Sequence, residues 1–303
     1  MPDPRQEPPA VTPGPLVVVE DPEDPRLELY RDLKDPAGRN RLDGGQPVFV
    51  VEGKFAVDRL LVSRYTVRSL LVDEHNLTVA ADVVAATQAL GATVYVGSRA
   101  LVAATVGFAL HRGVVAVAQR PPPTAPDQVL AGAVASARSR RPVLIAVLEG
   151  LNDHENIGAL FRNAAAFGVA GILLDPTCAD PLYRRSIRVS VGHVLLMPFA
   201  RLTPWPSGLQ HVRDAGFVVA ALSPRPATDA SLPAVSLTEL EARVARSAHH
   251  VGVAVLLGAE GPGLSDVSRA ASDVVVGIPM ADGVDSLNVA TAAAVAFHAL
   301  AGR

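Results

Sequence analysis

The sequence predicts an α/β protein of two domains, the second built on a largely parallel sheet with helices on its faces. Three observations predict this. Apolar runs rich in β-branched residues alternate with runs of helical period, once from 47 to about 120 and again from 143 onward. The stretch PPPTAPDQ at 121–128 separates the two series, and its prolines favour an extended linker. A chain of 303 residues that is 49% hydrophobic can bury two cores.

Taken in order, residues 1–25 are rich in proline and hold Asp3, Glu7, Glu20, Asp21, Glu23 and Asp24 against Arg5 alone. That composition predicts a disordered acidic tail. Without it, the chain's 30 acids and 27 bases become 24 and 26, so the body of the protein has no charge barrier against a polyanion. Residues 26–120 form the first domain, with runs such as PVFVVEG, VRSLLVD, ATVYVG and GVVAVAQR as strands. Residues 121–142 are expected to be a linker, with a helical piece through AGAVASARSR. Residues 143–303 form the second domain, where VLIAVLEG, AGILLD, GFVVAAL, VGVAVLLG and DVVVGIP read as strands before a terminal helix.

The N-terminus lacks the basic start and apolar core of a secretory signal, and no apolar run reaches the length of about 18 residues that a membrane span needs. The single cysteine, Cys178, has no partner for a disulfide or a zinc site and reads as a small buried residue. These features predict a cytoplasmic protein with no membrane association and no metal. Two basic groups, Arg138, Arg140 and Arg141, and Arg184, Arg185 and Arg188, are either solvated faces or contacts to a polyanion.

Ligands of such sheets bind outside the carboxyl ends of the strands. Three polar, glycine-containing loops fall there: LNDHENIG, GAEGPGLS and PMADGVDSLN. In the helix after the first loop, Ile157, Leu160, Phe161, Ala164 and Ala165 share the face that packs on the sheet. Asp153 or Asn156 is the expected N-cap and Gly168 the end. Gly158, Arg162 and Ala166 stack on another face, leaving Arg162 as its one long side chain, with room for a substrate backbone. His154 reads as a solvated or capping loop residue.

The second loop carries Gly258, Gly261 and Gly263, in an order that fits neither the dinucleotide fingerprint nor a P-loop. Glu260 inside that turn opposes a phosphate and favours hydroxyls, an amine or a positive centre. In the third loop the strand is expected to end at Ile278 and Pro279. Asp285 or Ser286 is the expected cap of the alanine-rich helix that follows, and Ser286 and Asn288 can orient an oxygen near its positive end. Taken singly, each loop is explained by capping and turn formation. Three of one kind at the same end of one sheet point to a site.

Together, Asn156-x-Gly158-x-x-x-Arg162, LLGAEGPGL at 256–264, and IPM at 278–280 followed by DSLNVA at 285–290 closely resemble the three motifs of the SpoU, or TrmH, branch of the SPOUT RNA methyltransferases. The resemblance covers about 143–301, and YRRSIRVSVGHVLLMP resembles the stretch between the first two motifs. More weakly, 47–118 resembles the L30e-like substrate-binding domain of these enzymes.

The resemblance implies a trefoil-knotted α/β domain, S-adenosylmethionine as methyl donor and an RNA ribose 2′-hydroxyl as acceptor, in ribosomal or transfer RNA. It also implies a homodimer formed through the knotted domain. By motif position, Leu257, Gly258, Ala259, Gly261, Ile278, Met280 and Leu287 would bind the cofactor. Asn156, Arg162, Glu260, Ser286 and Asn288 would be the catalytic set, with Arg184, Arg185 and Arg188 on RNA phosphates. A guanidinium with a pKa above ~12 is a poor base, so Arg162 is expected to clamp the adjacent phosphate and stabilise the developing alkoxide. The other reading the sequence allows is an RNA-binding or ribosome-assembly protein that keeps the fold without turnover.

Overall fold

A computed structural model describes residues 12–33, 47–110, 113–137, 142–223, 233–247 and 250–301. The chain divides into two units, Met1–Pro121 and Pro122–Arg303. The first contains strands β1 (Leu16–Val18), β2 (Val48–Glu52), β3 (Val67–Asp73), β4 (Thr93–Gly97) and β5 (Val114–Gln119). Its helices are α1 (Lys54–Leu61), α2 (Ala81–Ala89) and α3 (Arg99–Val106). The sheet order is β1-β4-β3-β5-β2. β1, β4 and β3 run parallel, whereas β5 is antiparallel to β3 and β2.

Part of the expected acidic tail belongs to this sheet. Val17 pairs with Tyr95, and Val19 donates its N–H to the Val96 carbonyl at 2.8 Å. The Asp24 carboxylate accepts from the Arg26 N–H at 2.9 Å and opens a 3₁₀ turn over Pro25–Tyr30, which buries Leu27 and Tyr30 completely. The run LVVV is short, but its β-branched residues complete a sheet edge, and that outweighs the polar composition around it. Arg26 beside Asp24 lowers that carboxyl to about 2. Residues 1–11 lie outside the described residues.

The second unit runs α4 (Pro126–Ala135), β6 (Val143–Glu149), α5 (His154–Phe167), β7 (Gly171–Leu174), α6 (Arg184–Val189), β8 (Phe199–Arg201), α7 (Leu209–Asp214), β9 (Phe217–Leu222), β10 (Ala234–Val235), α8 (Leu237–Ala245), β11 (Gly252–Gly258), α9 (Asp266–Ala270), β12 (Val274–Val276) and α10 (Val289–Leu300). Its sheet has the order β10-β12-β9-β11-β6-β7-β8, and every pair is parallel. All seven residues of β6 are buried, as a strand covered on both faces requires.

The expected linker at 121–142 is corrected by α4. Pro126 occupies the first helical turn, where its missing N–H and fixed φ are tolerated. Val129, Leu130 and Ala133 enter the same core as Ile145, Val147, Phe217 and Leu256. The helix therefore starts before the segment AGAVASARSR and packs within the second unit. The last strand is also shorter than expected: β12 pairs with β9 only as far as Val276 opposite Leu222, so Ile278 and Pro279 lie beyond it.

The strand order locates a ligand crevice. From β6 the chain proceeds to β7 and β8 on one side, while β11, β9, β12 and β10 fill the other. Loops leaving the carboxyl ends of β6 and β11 therefore diverge, and such a reversal opens a crevice between them. Glu149 and Gly258 face each other across it in register.

Candidate active site

The first wall of the crevice is the loop from β6 into α5. Asp175, buried at the end of β7, accepts from the Gly150 N–H at 3.0 Å and from the N–H groups of Thr177 and Cys178 at 2.9 and 2.8 Å. Asp153 caps α5, its carboxylate accepting from the Glu155 N–H at 2.6 Å, and Gly168 ends the helix in the left-handed region at φ 73°. Ile157, Leu160, Phe161 and Ala164 are buried as expected, while Ala165 is half-buried.

Gly158 has a different use from the one expected. A Cβ there would stand 2.6 Å from the Ser186 carbonyl oxygen and 2.8 Å from the Val189 Cβ. The glycine lets α6 pack directly on α5 and leaves no space above it for a substrate backbone. Cys178 is buried, with its thiol pushed up to about 12 chiefly by desolvation, which excludes a thiolate at neutral pH.

The second and third loops enclose a cavity of about 1140 Å³. All seven residues expected to bind the cofactor, Leu257, Gly258, Ala259, Gly261, Ile278, Met280 and Leu287, line it, as do Glu260, Ser286 and Asn288. At Gly258 a Cβ would lie 2.4 Å from both Gly263 C and Leu264 N, so only glycine allows the loop to fold back on its own strand. Gly261 and Gly263 turn it with φ values of 87° and 71°. Charged side chains on the wall are Glu260, Asp266, Arg269 and Asp285, with Arg269 bonded to Asp266.

Asn288 joins the three loops. Its Nδ2 donates to Asn156 Oδ1 at 3.0 Å and to Glu260 Oε1 at 2.5 Å. Its Oδ1 accepts from the N–H groups of Ala290 and Thr291 at 2.9 and 3.2 Å. Asn288 is thus the N-cap of α10, the role expected of Asp285 or Ser286. The cap orients the amide, and both amide hydrogens then reach side chains from the other two loops.

Arg162 is not brought into this cluster. It is exposed on α5, has no hydrogen bond or ion pair among the described residues, and does not line the cavity. Ser286 is exposed on the cavity wall. Among the second basic group, Arg184 is half-buried, Arg188 is exposed, and Arg185 pairs with Glu155, with Nε to Oε1 at 2.9 Å. That pairing holds the Arg185 guanidinium above its ordinary range. Arg138, Arg140 and Arg141 lie outside the described residues. His154 stacks at a tilt on Tyr183, with ring centroids 4.2 Å apart, joining the start of α5 to α6.

The sequence reading missed Glu149. This carboxylate is buried at the end of β6 and accepts four hydrogen bonds. Trp205 Nε1, Ser265 Oγ and Ser268 Oγ donate to Oε1 at 3.0, 2.7 and 2.6 Å, and the Ser265 N–H donates to Oε2 at 3.1 Å. The available signal was one acid closing an otherwise apolar strand, VLIAVLE.

Comparison with known proteins defines the class first. The fold is that of RNA methyltransferases. The chain aligns with the AdoMet-bound rRNA methyltransferase from Sinorhizobium meliloti at a TM-score of 0.70 and 22% identity, covering 94% of this chain and 97% of that one. A solved RNA 2′-O ribose methyltransferase gives a TM-score of 0.67 at 23% identity over 94% and 98% of the two chains. The sequence then gives the family. Residues 143–298 match the SpoU rRNA Methylase family. An uncharacterized tRNA/rRNA methyltransferase of Mycobacterium bovis is 44% identical over 92% of this chain and 89% of its own. The chain belongs to the SpoU rRNA Methylase family.

Proposed function

We propose that the protein transfers a methyl group from S-adenosylmethionine to the 2′-hydroxyl of a ribose in ribosomal or transfer RNA. The observation that carries this reading is the bonding of Asn156, from the first turn of α5, and Glu260 to Asn288, the last two on the wall of a cavity at the carboxyl end of a parallel sheet.

The cavity suits the donor. Its turn leaves open space at Gly261 and Gly263, and Glu260 and Asp285 favour a cationic ligand over a phosphate, Asp266 being paired with Arg269. Leu257, Gly258, Ala259, Gly261, Ile278, Met280 and Leu287 would hold the cofactor, which when bound supplies a methyl group activated on a sulfonium. Alignment of acceptor and donor can contribute as much as ~7–11 kcal/mol to such a displacement, so positioning is the main task of the protein. Asn288, fixed by its cap bonds, holds Asn156 and Glu260 in one arrangement. Ser286 stands on the same wall to orient the ribose. Arg162 clamps an RNA phosphate and stabilises the developing alkoxide as a permanent cation. Arg184 and Arg188 add phosphate contacts, and Arg185 joins them from its pair with Glu155.

Three further features belong to the same reading. The segment 277–288 leads from β12, at one side of the sheet, to α10, which is tied to α5 by the bond from Asn163 Nδ2 to the Ala290 carbonyl at 2.8 Å. A threaded, trefoil-knotted path is the family route between those points. Arg162 lies outside the cavity lining of its own chain, which supports a homodimer that completes the site. The first unit serves as the L30e-like RNA-presenting domain. The protein works in the cytoplasm; no helix among the described residues is long and apolar enough to cross a membrane.

The test is incubation with methyl-labelled S-adenosylmethionine and total RNA from cells lacking the protein, followed by digestion to nucleosides. Label in 2′-O-methylnucleosides is the expected result. Label confined to bases overturns the acceptor, and RNA binding without incorporation on every RNA tried favours the assembly-protein reading.

A further inference from the structure

We infer that Glu149 is a positioning residue for the cofactor loop, and that through it the protein's one tryptophan, Trp205, reports on the filling of the cavity. The inference rests on the reading of the cavity as the S-adenosylmethionine site. Loop 259–265 is the wall of the cavity that the register of β11 does not fix, because the strand ends at Gly258. Its far end must be held by something else. That anchor is Ser265, which lines the cavity and gives both its N–H and its hydroxyl to Glu149.

The donors converge on one carboxylate, and the Ser265 and Ser268 hydroxyls also lie 2.9 Å from each other. All four contacts to Glu149 come from donors: an indole N–H, a backbone N–H and two hydroxyls. A carboxylate offers acceptors on both of its oxygens, whereas an amide replaces one of them by a donor. Ser268 is fully buried, and its hydroxyl reaches Oε1 at 2.6 Å from the helix that follows the loop. Trp205 reaches the same oxygen from the segment after β8. Glu149 therefore ties β6, the loop end, α9 and Trp205 to one point 116 residues away from Ser265 in sequence. Neither Glu149 nor Trp205 lines the cavity, so neither touches the ligand directly.

Replacing Glu149 by glutamine keeps shape and volume. Its amide can keep Oε1 as an acceptor, but then places an NH₂ group opposite the Ser265 N–H. A buried donor left facing another donor loses its bond, and the loop spends part of its time away from the binding-competent form. The apparent affinity falls by that fraction.

The experiment uses the full chain. Calorimetric titration with S-adenosylmethionine, run below the unfolding transition of each variant, is expected to show Glu149→Gln binding about tenfold or more weakly than wild type. In transfer assays the KM for S-adenosylmethionine rises while kcat at saturation stays near wild type. Trp205 emission of the wild type should change saturably with the same dissociation constant as the calorimetry, and this change should shrink in Glu149→Gln. Ser268→Ala, which deletes one donor and keeps the charge, should give a smaller weakening in the same direction, and it carries the test if Glu149→Gln does not fold. A folded Glu149→Gln, or failing that Ser268→Ala, with wild-type affinity overturns the inference and leaves the methyltransferase reading intact. Absence of S-adenosylmethionine binding by the wild type overturns both.

Discussion

Glu149 and Glu260 stand at the ends of two paired strands, yet they belong to opposite parts of the site. Glu149 is buried beneath the loop and saturated with four donors, whereas Glu260 is exposed and receives one hydrogen bond, from Asn288. One side chain type thus stands behind the cavity wall in one case and on its rim in the other. The difference arises from the surroundings. Trp205, Ser265 and Ser268 converge on the first carboxylate, while the second sits in a glycine-rich turn open to solvent. We propose that residues behind the wall fix the shape of the cavity. Asn288 spends all four of its amide bonds on holding this rim together, whereas Arg162 and Ser286 are exposed, and we propose that they act on RNA.

Substitutions on the two sides should fail in different ways. The largest effect is expected for Arg162→Ala, where loss of one transition-state donor costs about 10²–10³ in kcat. The fold and the cofactor affinity are unchanged, because Arg162 lies outside the cavity lining. Gly258→Ala comes next. Its Cβ would meet the backbone at 2.4 Å, so the loop must shift, with a stability loss of about 1–3 kcal/mol in denaturant unfolding and a cofactor affinity reduced about tenfold or more. Asn288→Ala falls between the two sides. Loss of the α10 cap costs about 1 kcal/mol, and release of Asn156 and Glu260 lowers the turnover of the protein that remains folded. Turnover at the wild-type rate would reduce Asn288 to a cap. The smallest effect concerns Cys178: with its thiol raised to about 12, it stays protonated through neutral pH and should resist alkylation until the protein is unfolded.

Much of the rim was legible in the sequence. Periodicity placed Ile157, Leu160, Phe161 and Ala164 on the inner face of α5, local chemistry left Asp153 or Asn156 as its start and named Gly168 as its end, and the second and third loop motifs named residues that line the cavity. What stayed hidden depends on partners distant in the chain. The valines of β1 need β4, about eighty residues later, before they become a sheet edge. Gly158 looked like an opening until Ser186 and Val189 filled it. The roles within DSLN were reversed, because any of Asp285, Ser286 and Asn288 can cap a helix and only the path of the backbone chooses Asn288. Glu149 gave the weakest signal of all, since its four donors come from two segments more than fifty residues away.

We propose that cofactor binding and action on RNA reside in separable halves of the site. The most direct measurement determines S-adenosylmethionine affinity by calorimetry and single-turnover methyl transfer on the same RNA, for Arg162→Ala beside Gly258→Ala. Arg162→Ala is expected to bind the cofactor like wild type and to transfer almost nothing, with Gly258→Ala losing affinity first. An Arg162→Ala protein whose cofactor affinity falls in step with its transfer rate would contradict it.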